Sequence, residues 1–188
     1  SDSVKITDTI IDGYGQTFLF SGGGNFVLDD TTFSSNGKVG QLSSSTLSID
    51  EGEWNGMSQG LHAQHSSLII ENLNISIGEN HGTALRILGG SLEITEEVNL
   101  IHEAQWSDTT SIGLQAVWSD ISGESVNIAG YSTGVSCEAT SVISINNLSI
   151  IDNTDIGYFQ ACSESIIDEL ITNSGDYGLY SKTGLISI

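Results

Sequence analysis

Apolar and polar residues alternate along most of this chain, in short runs that recur at nearly regular intervals. Residues 60–76, GLHAQHSSLIIENLNIS, and residues 134–150, GVSCEATSVISINNLSI, share one layout. Each has a glycine, an alternating stretch, a polar break and two further apolar runs. Alternation with a period of two predicts β-strands, and no segment longer than one turn shows the 3.6-residue period of a helix.

A small residue opens each repeat of this pattern. These anchor residues are Gly60, Ala84, Gly113, Gly134, Gly157 and Gly178, at intervals of 24, 29, 21, 23 and 21 residues. The N-terminal third repeats with less regular spacing, which brings the total to seven or eight coils, the last of them cut short. Three short strands in ~22 residues cannot bury their apolar sides alone, but coils stacked at ~4.8 Å can.

Three phrases, ISINNLSI, LIIENLNI and VKITDTII, follow the pattern [VIL]-x-I-x-[DNE]-x-x-[ILV]. In this the chain resembles the pectin-lyase-like proteins over nearly its whole length. The resemblance implies an all-β fold, a right-handed parallel β-helix of about seven to eight coils of ~22 residues with no long helix, as one domain over residues 1–188. That family holds polysaccharide lyases and hydrolases, phage tailspikes, adhesins and surface-layer proteins, so the fold assigns no function by itself.

Three other repeat folds fit the pattern less well. A leucine-rich repeat shares the period but would show helical or turn segments and a fixed asparagine in every repeat. A left-handed hexapeptide helix needs a period of six. A calcium-binding nonapeptide roll needs GGxGxD in series, whereas the glycine cluster SGGGN occurs once, at residues 21–25.

Stacking predicts columns of equivalent residues. The predicted inward columns are Leu61, Leu85, Leu114, Val135, Tyr158 and Leu179, and Ile70, Ile94 and Ile145. The predicted outward column, two residues beyond each anchor, is Gln41, His62, Arg86, Gln115, Ser136, Phe159 and Tyr180. Asn72 and Asn147 precede the third strand of their coils, where we expect left-handed turn residues whose side chains bond along the stack.

The charge balance excludes several partners. Four Lys and Arg against 24 Asp and Glu give a formal net charge of −20, which argues against nucleic acid and against anionic membrane surfaces. No run of ~18 apolar residues predicts a membrane span, and the first residues do not form a signal peptide. Neither end carries a cap for the exposed strand edges, so we expect a segment of a longer extracellular protein.

Cys137 and Cys162 lie on neighbouring coils and are either paired or two buried thiols. They stand three and five residues beyond their anchors, and this stagger predicts no disulfide. Asn74 and Asn147 each begin an N-glycosylation pattern, which an Asn- and Ser-rich chain also produces by chance.

The longest interval, from Ala84 to Gly113, carries an insertion that we place at Glu96 to Ser111. Because its composition differs from the Ser, Asn and Gly corners elsewhere, we expect this loop to fold over the face carrying Arg86 and form one wall of a ligand site. The candidate ligand-binding residues are His62, Arg86, His102, Glu103, Trp106 and Trp118, with Asp108 in the same loop.

Two interpretations of this set compete. In a sugar site, Trp106 and Trp118 would stack on sugar faces, Arg86 would meet a uronate carboxylate, and His62 or His102 would be a general base. In a plain solenoid, the tryptophans cover coil edges and the histidines are solvated. A guanidinium paired with Glu103 or Asp108 favours the plain solenoid, and one without a carboxylate partner favours a sugar site.

Catalytic patterns of the resembling enzymes are not evident. Those lyases use an Arg or Lys base with carboxylates that hold calcium, and the hydrolases use aspartates on adjacent coils. Here the outward column has no Asp, and the following carboxylates fall mainly at turns: Asp29, Asp30, Asp50, Glu51, Asp152 and Asp155. Turn acids usually cap the backbone or face solvent, and no rank of Thr-x-Thr suggests an ice-binding face.

We therefore expect a non-enzymatic extracellular scaffold or adhesion module that binds a glycan or a neighbouring surface protein. The alternative is a polysaccharide lyase or glycoside hydrolase with its groove around Arg86. No cofactor is expected, except that calcium is compatible with the many carboxylates. The expected partners are a polysaccharide or a cell-surface protein, with no nucleic acid and no membrane insertion.

Overall fold

The computed structural model of the protein describes residues 3–13, 15–34, 37–78, 82–103 and 110–188. Within these ranges the regular structure is all β. The strands are β1 Ser3–Asp12, β2 Gln16–Ser21, β3 Asn25–Ser34, β4 Lys38–Ser43, β5 Thr46–Met57, β6 Gln59–Ile77, β7 Thr83–His102, β8 Ile112–Ala129, β9 Thr133–Glu138, β10 Val142–Asn153, β11 Ile156–Ser174 and β12 Tyr177–Ser187. No helix within these ranges is long and apolar enough to cross a membrane.

The strands form a parallel β-solenoid of about 8 turns, with coils of ~22 residues. Hydrogen-bonded neighbours run in the order β1-β3-β5-β6-β7-β8-β10-β11-β12, while β2, β4 and β9 extend one side of the stack. These strands pair in parallel, as in β6 with β7, where Leu61 faces Leu85 and Ile70 faces Ile94. The all-β parallel solenoid predicted from the repeat is confirmed.

Five successive coils turn a sharp corner at one residue in the left-handed conformation. Equivalent positions five residues beyond the anchors have positive φ in successive coils, namely His65 at 49°, Gly89 at 63°, Trp118 at 53° and Ala139 at 60°, and Ser44 aligns with them at 50°. One left-handed residue redirects an extended chain without a long loop. The corner separates what we call the first segment of a coil, which begins at the anchor, from the second segment.

The side chains of the inward columns belong to the hydrophobic core. All the predicted inward residues are buried except Leu179, whose side chain is 38% exposed. Leu179 lies in β12, whose one partner among the described strands is β11. The register deduced from the alternation is therefore correct through the stack.

The anchors are small because neighbouring backbones touch them. A Cβ atom added at Gly60 would lie 1.9 Å from the carbonyl oxygen of Ala84, and one at Gly113 would lie 2.7 Å from that of Gly134. Any side chain there would push two coils apart, which explains the small residue at the start of each coil.

The expectation for Asn72 and Asn147 is wrong in its backbone part. Neither has a positive φ; at the aligned position only Asp8 and Asp30, in the first two coils, do, at 49° and 48°. Asn72 instead continues the ladder opposite Glu97. Its side chain does bond along the stack, since Nδ2 donates to Glu96 at 2.8 Å.

The prediction of unpaired cysteines is wrong. Cys137 and Cys162 form a disulfide with their Cα atoms 5.4 Å apart, within the normal range for such a bond. Cys162 occupies the corner position of its coil but has no positive φ there, and its side chain is buried like that of Cys137. The count from the anchors assumed that every coil turns this corner in the same way.

Candidate functional site

One column of side chains runs along the outward side of the first segments. We call it the Arg86 column; its residues are Leu19, Gln41, His62, Arg86, Gln115, Ser136, Phe159 and Tyr180. Each residue pairs directly with the next, so the predicted outward register is correct. Because neighbouring coils lie about 4.8 Å apart, these side chains follow one another in a row, in which Ser136 is buried and the others are half-buried or exposed.

A concavity of about 210 Å³ opens on this row, and we call it the His62–Arg86 notch. Its lining is Leu19, Gln41, Leu42, Ser43, His62, Ala63, Gln64, Arg86 and Leu88. The lining therefore combines amides, a hydroxyl, one imidazole and one guanidinium with aliphatic side chains. Among the described residues no carboxylate lines the notch, although Asp and Glu outnumber Lys and Arg 24 to 4 in the chain.

The two basic side chains of the notch have unused hydrogen-bonding atoms. Nε of Arg86 and Nε2 of His62 are buried and have no hydrogen-bond partner among the described residues. Within the same ranges the ion pair present is Lys5 with Asp29, at 2.9 Å, and Arg86 pairs with no carboxylate there. Buried polar atoms nearly always have a hydrogen-bond partner in folded proteins. The Nε–H group of Arg86 is therefore suited to donate to an acceptor atom from outside the protein.

Burial lowers the pKa of His62 to about 4, assisted by the positive charges of Arg86 and Lys38. At neutral pH the imidazole is therefore uncharged, and one ring nitrogen accepts a hydrogen bond while the other donates. The positive charge of the notch at that pH comes from Arg86, with Lys38 close enough to act on His62. Lys38 was not among the predicted site residues; its rarity as one of four cations was the available signal.

We expect His62 to make the fold less stable as the pH falls from about 6.5 to about 4. The unfolded chain binds a proton near pH 6.5, whereas folded His62 binds it only near a pKa of about 4. Between these values the unfolded state holds more protons, so acid favours it. His62→Gln has no titrating imidazole, so its free energy of unfolding should fall by on the order of 1–3 kcal/mol less than that of the wild type over this pH range. Denaturant unfolding of both proteins across this pH range measures it, and parallel stability curves would contradict it.

Trp118 lies at the corner beside the notch and is 61% exposed. Its neighbours at the same corner are Gly89 and Ala139, whose side chains are absent or small. The preceding residue, Val117, pairs with Leu88 of the notch lining. A bulky residue with positive φ is uncommon and costs conformational free energy, and here it holds an indole in solvent where the adjacent coil uses glycine.

His102 and Glu103 lie elsewhere. His102 ends β7 opposite Ile77, with its ring centroid 5.2 Å from that of Tyr131. The Glu103 carboxylate accepts a hydrogen bond from Ser76 Oγ at 2.5 Å. The run of residues 97–102 in β7, which pairs with residues 72–77 of β6, is the third segment of its coil. His102 ends this segment, Glu103 follows it, and neither residue lines the notch.

The insertion is shorter than predicted. β7 carries one extra residue between Ile94 and Glu97, where its register with β6 and β8 shifts. Glu97 to His102 then pair in register with β6, so the longer departure from the repeat begins after His102. Trp106 and Asp108 lie outside the described residues. The hypothesis that this loop forms a wall of the site stays a prediction.

Beyond the notch, the Arg86 column continues with hydrogen-bonding side chains. Gln115 Nε2 donates to Glu138 Oε1 at 3.0 Å, and Ser136 Oγ donates to the same oxygen at 2.8 Å. Glu138 is the outward residue beside this part of the column, opposite Val117 on the adjacent coil. The contacts hold three polar groups in place next to the basic end.

An aromatic pair ends the column. The rings of Phe159 and Tyr180 stack with centroids 5.7 Å apart and an interplanar angle of 13°, and Tyr177 lies 5.5 Å from Tyr180. Tyr180 is 41% exposed. Both stacked residues were placed in the outward column from the sequence, but their role as an aromatic platform was not predicted, because the stacking depends on the coil spacing.

The carboxylates and asparagines of the third segments form a separate polar ladder. Asn127 Nδ2 donates to Asn99 Oδ1 at 2.9 Å, Asn99 Nδ2 donates to Asn74 Oδ1 at 2.8 Å, and Asn74 donates to Glu53. The Asn74 amide is thus engaged in the ladder, and the exposed Asn147 donates from Nδ2 to the backbone carbonyl oxygen of Glu124 at 3.3 Å. In the described part of the chain, no group of three or more His, Cys, Asp and Glu side chains is arranged to hold a metal ion.

Comparisons with known proteins give no relative: no family model, no curated protein and no solved structure matches this chain.

Proposed function

We propose that this protein is a non-enzymatic extracellular module that binds a glycan through the His62–Arg86 notch, with a carboxylated sugar as the group that Arg86 takes. The observation that carries the proposal is the Arg86 guanidinium, which sits in a concavity with a buried Nε and no carboxylate partner among the described residues. Guanidinium groups bind carboxylates through two parallel charge-assisted hydrogen bonds.

The surroundings of Arg86 support a sugar rather than a free ion. Neutral His62 and the amides of Gln41 and Gln64 offer donors and acceptors for hydroxyl groups. Trp118 offers an exposed ring at the adjacent corner, and sugar rings present an apolar C–H face that suits such a surface. A small number of polar groups on a partly apolar wall is typical of ligand sites.

The disulfide supports the extracellular location. Disulfides persist in oxidising compartments and are rare in the cytosol of most organisms. Kinship with pectin-lyase-like proteins is part of the same proposal; it rests on the repeated phrases and on the parallel solenoid, and extracellular glycans are the ligands that such a kinship favours.

A polysaccharide lyase or hydrolase is the second candidate, and His62 favours it. An imidazole that is neutral at pH 7 beside a guanidinium has the chemistry of a general base next to a carboxylate-binding group. The notch lining in the described part of the chain offers Arg86 and neutral polar groups but no carboxylate, which supports binding over hydrolysis. Incubation with acidic polysaccharides, followed by chromatography of the products, decides between them, since shorter or unsaturated fragments would establish an enzyme.

The test of glycan binding is a glycan array, run with calcium and again with chelator, followed by titration of the best ligand. Arg86→Gln is expected to weaken binding at least tenfold, because a charge-assisted hydrogen bond contributes about 1.5–3 kcal/mol. Lys5→Gln removes the same charge on another face and should bind normally. Calcium dependence of the wild type would add a metal to the proposal.

Trp106→Ala tests the loop hypothesis in the same assay. We expect it to abolish binding, as Arg86→Ala should, while the melting temperature stays nearly unchanged. If both variants lose stability together, the loop and Arg86 serve the coil rather than a ligand, and a plain scaffold is the better interpretation.

A further inference from the structure

We infer that the ligand is a sparsely charged acidic oligosaccharide that lies along the Arg86 column, with one carboxylated sugar in the notch and neutral sugars reaching the Phe159–Tyr180 pair. This inference rests on the proposed function and adds the length, direction and charge spacing of the ligand. Its basis is the order of chemistry along the column from Arg86 to Tyr180: a cation, then a polar stretch with the Glu138 carboxylate beside it, then an aromatic pair.

The length follows from the register. Arg86 pairs with Gln115, Gln115 with Ser136, Ser136 with Phe159 and Phe159 with Tyr180. Four coil spacings separate Arg86 from Tyr180, or about 19 Å at ~4.8 Å each. A ligand that touches both ends must therefore be longer than a disaccharide, with about four sugar rings if each ring spans about one coil spacing.

The polar middle is suited to neutral sugars. Gln115 and Ser136 hold the Glu138 carboxylate by hydrogen bonds of 3.0 and 2.8 Å. A carboxylate fixed there accepts hydrogen bonds from sugar hydroxyls, but it repels a second carboxylate on the ligand. The described part of the column has no cation between Arg86 and Tyr180 to offset that repulsion.

The aromatic end favours a neutral ring as well. Phe159 and Tyr180 stack on each other, and Tyr177 contacts Tyr180 at 5.5 Å. Exposed aromatic surface at the end of a polar row offers burial for the C–H face of a sugar. The net charge of −20 repels a densely charged polyanion as it approaches the protein.

The experiment is isothermal titration calorimetry with four kinds of probe. The first is a series with one terminal glucuronic acid followed by one, two, three or four neutral xyloses. The second is tetragalacturonic acid, in which every ring is charged, the third is neutral xylopentaose, and the fourth is free glucuronic acid. Each probe is titrated into the wild type, Tyr180→Ala, Arg86→Gln and Leu185→Ala, a truncation in the same strand that lies off the column.

In the single-charge series, we expect affinity to rise with each added xylose up to about four rings. Tyr180→Ala should weaken the longest probes roughly threefold to tenfold and leave the shortest unchanged, while Arg86→Gln weakens every member. Leu185→Ala should behave as wild type. Phe159→Leu keeps an apolar side chain at this end and should give a weaker form of the Tyr180→Ala result.

The outcomes separate the two proposals. Affinity that depends on Arg86 but not on ligand length or Tyr180 overturns the extended ligand and leaves the glycan-binding notch in place. If tetragalacturonic acid binds more tightly than the single-charge probe of equal length, the inference that the ligand is sparsely charged is wrong. No binding of any probe, free glucuronic acid included, overturns both proposals.

Discussion

Replacing Leu114 with alanine is expected to lower the free energy of unfolding by about 2–5 kcal/mol, because the change removes buried methyl groups and leaves a cavity. Leu114 is fully buried and lies between Leu85 and Val135 in the inward column. Both neighbouring coils lose contacts with it. Neighbouring interfaces hold a solenoid together, so one cavity weakens two of them.

Denaturant unfolding followed by circular dichroism measures this loss, and Leu185→Ala is the matched control. Leu185 is 71% exposed, so the same truncation there should change stability by no more than about 0.5 kcal/mol. Equal effects of the two substitutions would contradict the inward register. A one-residue slip would exchange the inward and outward sides of a strand, and the Arg86 column would then fail with it.

Removing the disulfide is expected to cost about 3 kcal/mol. Cys137 and Cys162 are 25 residues apart, and in the chain-entropy model a cross-link that closes a loop of this size restricts the unfolded chain by about 3–4 kcal/mol. The double variant Cys137→Ala with Cys162→Ala avoids placing hydroxyl groups in a buried site. Its denaturant midpoint, compared with that of the unreduced wild type, gives the difference.

Mass spectrometry provides the independent check on that bond. The unreduced wild type should weigh two hydrogens less than the reduced protein. Equal masses would contradict the disulfide, and they would also remove one support for the extracellular location. Reduced wild type should unfold at nearly the same denaturant concentration as the double alanine variant, because the two share a chain without the cross-link.

Much of the outward chemistry was predictable because it follows from counting. Once Gly60 and Ala84 are recognised as equivalent, His62 and Arg86 must be neighbours on adjacent coils, and the structure pairs them. Counting residues from the anchors does not show that the surface at His62 and Arg86 is concave. The structure adds Leu42, Ala63 and Leu88 to the lining of the notch, and the spacing of the anchors does not predict that these residues meet the polar side chains there.

Prediction failed where one coil departs from the others. The cysteine stagger was derived from a uniform corner, and Cys162 occupies that corner without its left-handed backbone. The insertion was placed from Glu96 because its composition changes there, yet the chain stays in β7 to His102. A change in residue types marks a change in the exposed side chains, and the strand can continue through it. The backbone goes on pairing as long as the neighbouring strand offers hydrogen-bond partners.

The sequence by itself determined the solenoid, its register and its acidic surface. Alternation with a period of two predicts strands, and the recurrence of small anchor residues predicts that the coils stack. Because the apolar residues must face the core, the alternation also determines which side chains point outward. Only the tertiary structure decided which outward groups are bonded and which are available. Glu138 is held by Gln115 and Ser136, while Arg86 has no carboxylate beside it among the described residues. The reason is physical: hydrogen bonds between side chains depend on ångström-scale distances across coils, and no spacing along one chain specifies those.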